Sequence, residues 1–206
     1  MQADQKKMPL VAAMLKYKKE QVYPFHTPGH KGGRGMEPLL AGELGAGALQ
    51  MDVSLMAELD DIHCPEGCIA AAQTLAAQLY GSDRCFFAVN GTTQAIQAML
   101  MTAVKPGGKV LIPRNAHRSV AGGLLLGDLE PVYVLPQFDA VFGINTQVTA
   151  GQIEEALQKD PSIKAVFLTS PNYYGQAADI KTIAQIAHKY GCLLYTSPSP
   201  RDPKTS

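Results

Sequence analysis

Three polar loops hold the residues of this sequence that could do chemistry, and each follows a short apolar run. The first loop, NGTT at residues 90–93, follows the run CFFAV at residues 85–89. Gly91 permits an unusual backbone conformation, and Thr92 or Thr93 can cap a following helix. The free N–H groups of a helix start, together with two hydroxyls, would hold a phosphate. A capped turn without a ligand is the simpler alternative.

The same loop argues against a nucleotide. It lacks the lysine of a P-loop and the glycine spacing of a dinucleotide-binding turn. A phosphorylated cofactor therefore fits the sequence better than a nucleotide does.

The other two loops follow later apolar runs. The sequence RNAHRS at residues 114–119 contains His117, whose ring could stack on an aromatic cofactor. A histidine that caps a helix or faces solvent explains the same residue more simply. The sequence SPNYYG at residues 170–175 could shape the same pocket, or it could be a Pro-Asn turn with tyrosines packed on its neighbours.

The N-terminal part carries two further polar stretches. HTPGHKGG at residues 26–33 contains two histidines, but the intervening residues suit a cleft or a subunit interface better than a metal. Asp60 and Asp61 are read as a solvated turn or a helix cap rather than an acid–base pair. The four cysteines lack zinc spacing, and Cys85 and Cys192 are expected to be buried thiols. We therefore predict no metal site.

The elements that must position these loops alternate between strand and helix patterns. Strands are predicted at residues 85–89, 109–112, 132–135 and 165–169, with a further buried strand starting near 191–194. Helices are predicted at residues 7–21 and 69–80, from the 90–93 turn to about 104, and at 119–126, 150–159 and 179–190. This order predicts an α/β fold, a mostly parallel sheet with helices on both faces. Such sheets bind ligands at the carboxyl ends of their strands, which is where the three loops lie.

Composition excludes several classes of partner. Lysine plus arginine equals aspartate plus glutamate at 18 each, so nucleic acid and acidic membranes are not expected as partners. No apolar run reaches the roughly 20 residues of a membrane span, and the first residues do not resemble a signal peptide. The cytoplasm is the expected location.

Five blocks along the chain, taken together, resemble one known family. They are residues 26–32 (HTPGHKG), 59–67 (LDDIHCPEG), 90–93 (NGTT), 113–119 (PRNAHRS) and 170–175 (SPNYYG). In this order they resemble the Orn/Lys/Arg decarboxylase family of fold-type-I pyridoxal-phosphate enzymes, over about residues 8–194. The shorter bacterial arginine and lysine decarboxylases are the most similar members. Leu55 departs from the family, because many members have an acidic residue there.

The resemblance implies a cofactor, a reaction and a set of site residues. Pyridoxal 5′-phosphate would support decarboxylation of arginine, lysine or ornithine to the amine and carbon dioxide, as in polyamine biosynthesis. Gly91, Thr92 and Thr93 would bind the cofactor phosphate, His117 would stack on its pyridine ring, and Ser119 would lie beside the ring. The parent enzyme would be a homodimer or a higher homo-oligomer, with the 26–31 loop approaching an active site at the dimer interface.

The chain departs from the family after residue 194. The resemblance places the aspartate for the ring nitrogen and the Schiff-base lysine beyond this point, where the chain instead has the proline-rich stretch 195–206. We predict that stretch to be disordered and non-native. The expected organisation is an N-terminal helix and arm at 1–67, an incomplete fold-type-I large domain at 68–194, and the tail at 195–206.

The expected function is that of an inactive decarboxylase fragment. Two alternatives stay open from the residues. One is a truncated fold-type-I aminotransferase or lyase, although the TPGHK loop argues against it. The other is a short, non-catalytic protein that binds pyridoxal phosphate or a partner chain.

Overall fold

Residues 4–197 are described by the structure, a computed structural model, and they divide into two units. One unit runs up to Phe87 and the other begins at Ala88. Each unit has its own elements.

The first unit is helical. Helix α1 (Pro9–Glu20) begins at a proline, which suits the first helical position, and ends at Gln21 in the left-handed conformation. A short 3₁₀ helix (Lys31–Gly33), α2 (Pro38–Leu44), α3 (Ala46–Leu49) and α4 (Cys68–Tyr80) follow. Helices α1 and α4 pack together, and Gly81 ends α4 with a positive φ of 65°. The helices predicted at 7–21 and 69–80 are confirmed.

The second unit is built around a parallel sheet. Its helices are α5 (Gly91–Ala103), α6 (Arg118–Gly127), α7 (Ala150–Lys159) and α8 (Ile180–Lys189). Its strands are β1 (Lys109–Pro113), β2 (Glu130–Val134), the β3–β4 hairpin (Phe138–Asp139 and Ile144–Asn145), β5 (Ile163–Thr169) and β6 (Leu193–Ser197). The four-stranded sheet has the order β2-β1-β5-β6, and every pairing in it is parallel.

The helices cover both faces of this sheet, as predicted. Alternate residues of a strand point to opposite faces. Phe167 of β5 packs into one apolar cluster with Leu100 of α5, while Leu168 packs into a second cluster with Ile153 of α7 and Ile183 of α8. The central strands are therefore buried on both sides, which is why their sequences are continuously apolar.

The predicted strand at residues 85–89 is wrong. No strand forms there, and the side chains of Phe86 and Val89 are 75% and 68% exposed. Strand structure requires a hydrogen-bonded neighbour, and among the described residues none pairs with this segment. Cys85 is consequently half-buried rather than buried, whereas Cys192 is buried as expected.

Two boundaries also differ from the sequence-based expectation. Helix α4 groups with the first unit, because it packs on α1, so the units divide after Phe87 rather than after residue 67. Strand β6 continues to Ser197, three residues into the stretch for which disorder was predicted, because its backbone pairs with β5. The rest of that stretch, residues 198–206, lies outside the described residues.

Candidate functional site

The first turn of helix α5 leaves its backbone N–H groups without a side-chain cap. Gly91, the first helical residue, has a φ of 71°, a conformation that strains any other residue. Asn90 is the N-cap and makes no capping hydrogen bond through its side chain. The predicted cap by Thr92 or Thr93 is wrong, and both threonines are exposed. The N–H groups of a first turn have no partner within the helix, so this helix start is open to an external acceptor.

Gln94, inside the first turn of α5, bonds back to the residue that precedes the helix. Its side-chain oxygen accepts a hydrogen bond from the backbone N–H of Asn90, at 3.0 Å. This contact fixes the entry of the chain into α5 without using the amides of the first turn.

The start of helix α6 presents a histidine in a defined tautomer. His117 is the N-cap, and its Nδ1 accepts from the backbone N–H of Ser119 at 3.2 Å and from the Ser119 hydroxyl at 2.8 Å. Because Nδ1 accepts, the ring proton of neutral His117 is on Nε2. Ser119 is buried at 3% exposure, while the His117 ring is exposed. His117 therefore caps the helix and still has a ring that a ligand can contact.

The two helix starts lie at the same end of the second unit. A Cβ placed on Gly122 or Gly123 of α6 would meet Gln97 of α5, and one placed on Gly127 would meet Met101. Residues further along α6 contact residues further along α5, so the two helices run in the same direction. Each start lies about five residues before the Gln97 contact, and packed helix axes are about 8–10 Å apart. One small molecule can bridge such a separation.

The loop after β5 is organised around a buried amide. Asn172 is 8% exposed, and its side-chain oxygen accepts from the backbone N–H groups of Tyr174 and Gln176, both at 3.0 Å. Gln147 donates to the carbonyls of Thr169 and Gln176 and so ties this loop to the end of β5. The two tyrosines of the loop are exposed, and their rings contact each other edge to face at a centroid distance of 5.4 Å.

The histidines of the 26–33 loop are held by hydrogen bonds within the first unit. His26 contacts the Tyr17 hydroxyl through Nε2 and the Thr27 carbonyl through Nδ1. His30 accepts from the backbone N–H of Gly33 and contacts the Asp52 carboxylate at 3.1 Å. In the part of the chain that the structure describes, no group of three or more His, Cys, Asp or Glu residues could hold a metal ion.

Asp60 caps helix α4 from a position outside the helix. A helix cap was one of the two roles expected for Asp60 from the sequence. One carboxylate oxygen accepts from the backbone N–H groups of Asp61 and Glu66, each at 2.9 Å. The other accepts from Gly67 at 2.8 Å and Ile69 at 2.9 Å. These backbone hydrogen bonds, that from Glu66 foremost, hold the pKa of Asp60 well below its usual range.

Sequence reasoning missed three residues that shape these regions. Gln94 and Gln147 carry no motif, and Asn172 was placed in a turn without being expected in the interior. An Asn directly after Ser-Pro at a strand end was the available signal for Asn172, since such a side chain satisfies backbone donors in a turn. Gln94 bonds a residue four positions away and Gln147 bonds residues 22 or more positions away. Neither glutamine gave a comparable signal in the sequence.

The family and its relatives agree with this architecture. The sequence model of the family "Orn/Lys/Arg decarboxylase, major domain" matches residues 8–197. The arginine decarboxylase of Bacillus cereus is 39% identical over 182 residues, which cover 88% of this chain and 40% of that protein. The lysine decarboxylase of Francisella novicida has a TM-score of 0.78 and 25% identity, covering 86% of this chain and 27% of that one. The constitutive lysine decarboxylase of E. coli has a TM-score of 0.69 and 29% identity, covering 81% and 25%.

The fold and these matches define a chain of the fold-type-I class of decarboxylases. The chain belongs to the Orn/Lys/Arg decarboxylase family. It spans about two fifths of the length of the Bacillus cereus relative. Among the described residues, no helix is both long enough and apolar enough to cross a membrane.

Proposed function

We propose that this chain supplies the phosphate- and ring-binding part of a pyridoxal-phosphate-dependent arginine decarboxylase. Gly91, Thr92 and Thr93 bind the cofactor phosphate, His117 stacks on its pyridine ring, and Ser119 holds the His117 ring in place. The observation that carries the proposal is the pair of helix starts, α5 and α6, at one end of the unit. The uncapped amides of α5 and the exposed imidazole at the start of α6 are complementary to a phosphorylated aromatic ring.

The residues present fit such a group. A Cβ built on Gly91 meets no atom within 4 Å, so open space lies beside the first amides of α5. A helix start is partially positive and attracts a phosphate. The two threonine hydroxyls add donors at the same turn. When bound, the cofactor supplies an electron sink for the electrons of the broken carbon–carboxylate bond.

Arginine is the proposed substrate. The Bacillus cereus protein named arginine decarboxylase is 39% identical to this chain, whereas the lysine decarboxylases of E. coli and Francisella novicida compared above are 29% and 25% identical. The product would be the corresponding amine. Assembly of the whole protein as a homo-oligomer and its location in the cytoplasm belong to the same proposal.

We further propose that these 206 residues do not catalyse the reaction by themselves. Four lysines of the second unit, Lys109, Lys159, Lys164 and Lys189, lie away from the two helix starts. Lys109 is the first residue of β1 and Lys164 is the second residue of β5. Both therefore lie at the amino ends of their strands, opposite the end at which the two helices start. The four residue steps from Lys109 to Pro113, the two ends of β1, correspond to a distance of about 13 Å. Lys109 is also engaged by Asp160 at 2.7 Å, so it is not available to bind a carbonyl group.

Two lysines at helix ends support the same conclusion. Lys159 and Lys189 are at the C-terminal ends of α7 and α8 and pair with Glu155 and Glu154. A fold-type-I enzyme holds its cofactor through a lysine. The catalytic lysine is therefore proposed to come from a part of the parent protein beyond these residues.

A chimera tests the proposed function. Residues 8–197 would replace the matching segment of the Bacillus cereus arginine decarboxylase, and carbon dioxide release from arginine and from lysine would be measured. We expect activity that prefers arginine, and an activity at least about tenfold lower when Thr92 and Thr93 are both changed to valine. Thr102→Val is the matched control, because Thr102 is exposed in the last turns of the same helix and bonds Ala98.

Two results would contradict the proposal. One is a folded chimera whose activity is the same with or without the Thr92 and Thr93 hydroxyls. The other is a preference for lysine over arginine. The unmodified 206-residue chain, assayed with added cofactor, should release no carbon dioxide above background.

A further inference from the structure

A small cavity in the first unit is lined by more positive than negative groups. It measures about 70 Å³ and lies between the end of α1, the 3₁₀ helix and residues 49–53. Its charged lining residues are Lys18, Lys31, Arg34 and Asp52. A single water needs roughly 10–15 Å³ by this kind of measure, so the cavity has room for one small polyatomic ion.

The cations of this cavity are not neutralised from within the unit. Among the described residues, Lys18, Lys31 and Arg34 form no salt bridge with a carboxylate. The one lining carboxylate, Asp52, contacts His30 instead. Since Nδ1 of His30 accepts from Gly33, the ring donates to Asp52 through Nε2–H. The cavity therefore has an excess of positive charge and donors.

The remaining walls fix the positions of these cations. The Thr27 carbonyl can only accept, so Nδ1 of His26 donates to it, and Nε2 contacts the Tyr17 hydroxyl at 2.8 Å. Tyr17 is 8% exposed. The Lys31 ammonium donates to the His26 carbonyl, which holds it at the cavity wall.

The other two cations have aromatic and backbone neighbours. The Arg34 guanidinium lies over the Tyr23 ring at 4.7 Å. The Lys18 ammonium lies so close to Gly47 that a Cβ there would be 3.2 Å from Nζ. The Lys31 and Arg34 side chains are therefore restrained before any ligand arrives, which lowers the entropy cost of binding.

We propose that this cavity binds a small oxyanion, a phosphate or a carboxylate group. The guanidinium of Arg34 can donate two parallel hydrogen bonds to two oxygens of such a group, and Lys18 and Lys31 supply point charges. The size of the cavity excludes a whole nucleotide. Its charge excludes the basic side chain of an amino acid, so the site is separate in kind from the pyridine pocket at α5 and α6.

The test is an amide-shift titration of the ¹⁵N-labelled chain at low ionic strength, where exposed charges are least screened. Inorganic phosphate and acetate would be added in separate series. We expect saturable shifts at Gly32, Arg34 and Gln50. Arg34→Gln and Lys31→Gln should each weaken binding by about tenfold, as expected for the loss of one charge-assisted hydrogen bond.

Lys19→Gln is the matched control. Lys19 is exposed on α1 beside Lys18, does not line the cavity and carries the same charge. Saturation by acetate as well as phosphate assigns a carboxylate-sized group, and saturation by phosphate alone assigns a phosphate. Both results support the proposal.

Three results would overturn it. They are shifts that do not saturate, equal weakening by Lys19→Gln and Arg34→Gln, and phosphate shifts confined to Gly91, Thr92 and Thr93. The last result would leave the proposed cofactor site intact, so the two proposals fail separately. Wild-type titration decides the matter even if a variant does not fold.

Discussion

Helices α4 and α5 begin in opposite ways. At the start of α4, the Asp60 carboxylate accepts hydrogen bonds from the backbone N–H groups of Gly67, Ile69 and Ala70. At the start of α5, the N-cap Asn90 contributes no side-chain hydrogen bond. Helices α7 and α8 follow the pattern of α4, with Thr149 and Asp179 as their side-chain caps.

The difference separates structural helix starts from one that is available to a ligand. Uncapped amides at a helix start cost stability unless water or another acceptor satisfies them. The uncapped start of α5 lies at the same end of the second unit as the start of α6, which follows the carboxyl end of β1, and Thr92 and Thr93 beside it are exposed. The proposed phosphate would do for α5 from outside what the Asp60 carboxylate does for α4 from within the chain.

Removing the internal cap should have the largest effect. Asp60→Ala leaves the first amides of α4 without their acceptor, and we expect the unfolding midpoint of the first unit to fall by roughly 5 °C or more. Asp61→Ala is the control, since its carboxylate accepts only from the nearby His63 N–H among the described residues. Amide exchange in α4 reports on this unit alone. Equal exchange rates in both variants would contradict the role of Asp60.

The same cap predicts a pH dependence. Because the folded pKa of Asp60 is lowered, its stabilising effect is complete above the unfolded value of about 4 and is lost as the pH falls towards the folded value. The midpoint difference between wild type and Asp60→Asn should therefore shrink as the pH is lowered below about 4. A difference that stays constant from pH 7 to pH 2 would contradict this account.

Adding an internal cap to α5 should compete with the proposed ligand. Asn90→Asp places a carboxylate beside the first amides of α5, where it stabilises the helix slightly and repels a phosphate. We expect the affinity for pyridoxine 5′-phosphate to fall by about tenfold. Asn145→Asp, in the exposed β4 strand, is the control for charge. Unchanged affinity in Asn90→Asp would mean that no phosphate lies at this helix start.

The cap of α7 should have a smaller effect. Thr149 and Gln152 form a reciprocal capping box, with the Gln152 N–H donating to Thr149 at 3.2 Å. Thr149→Ala should destabilise the second unit by about 1 kcal/mol, as measured by denaturant unfolding. Thr102→Ala, which removes an exposed hydroxyl from α5, should cost less. A larger loss in Thr102→Ala would contradict the assignment of this cap.

Much of the second unit could be predicted because its signals are local. Strands β1 and β5 are apolar runs that both faces of the sheet bury, and α7 has apolar residues at helical spacing. Residues 85–89 gave the same apolar signal and still formed no strand. Sequence pattern reports what a segment could bury, whereas a strand also depends on a partner that the pattern does not identify.

The candidate site could be predicted only in part. The sequence proposed the loops that contain Gly91 and His117 as candidates, because glycine, threonine and histidine after apolar runs suggest phosphate and ring binding. It assigned the cap of α5 to the wrong residue, since Thr92 and Thr93 lie inside the helix rather than before it. The sequence suggested that Asp60 could cap a helix, but it did not indicate that the carboxylate would bond Ile69, nine residues away. That contact depends on the left-handed turn at Asp60, which has a φ of 72°.

The most direct test of the central claim is an amide-shift titration of the chain with pyridoxine 5′-phosphate, which has no aldehyde to react with lysines. The account predicts saturable shifts at Gly91, Thr92, Thr93 and Ser119, with none produced by pyridoxine, which lacks the phosphate. Equal shifts with both compounds, or saturable shifts that leave the α5 start unchanged, would contradict it.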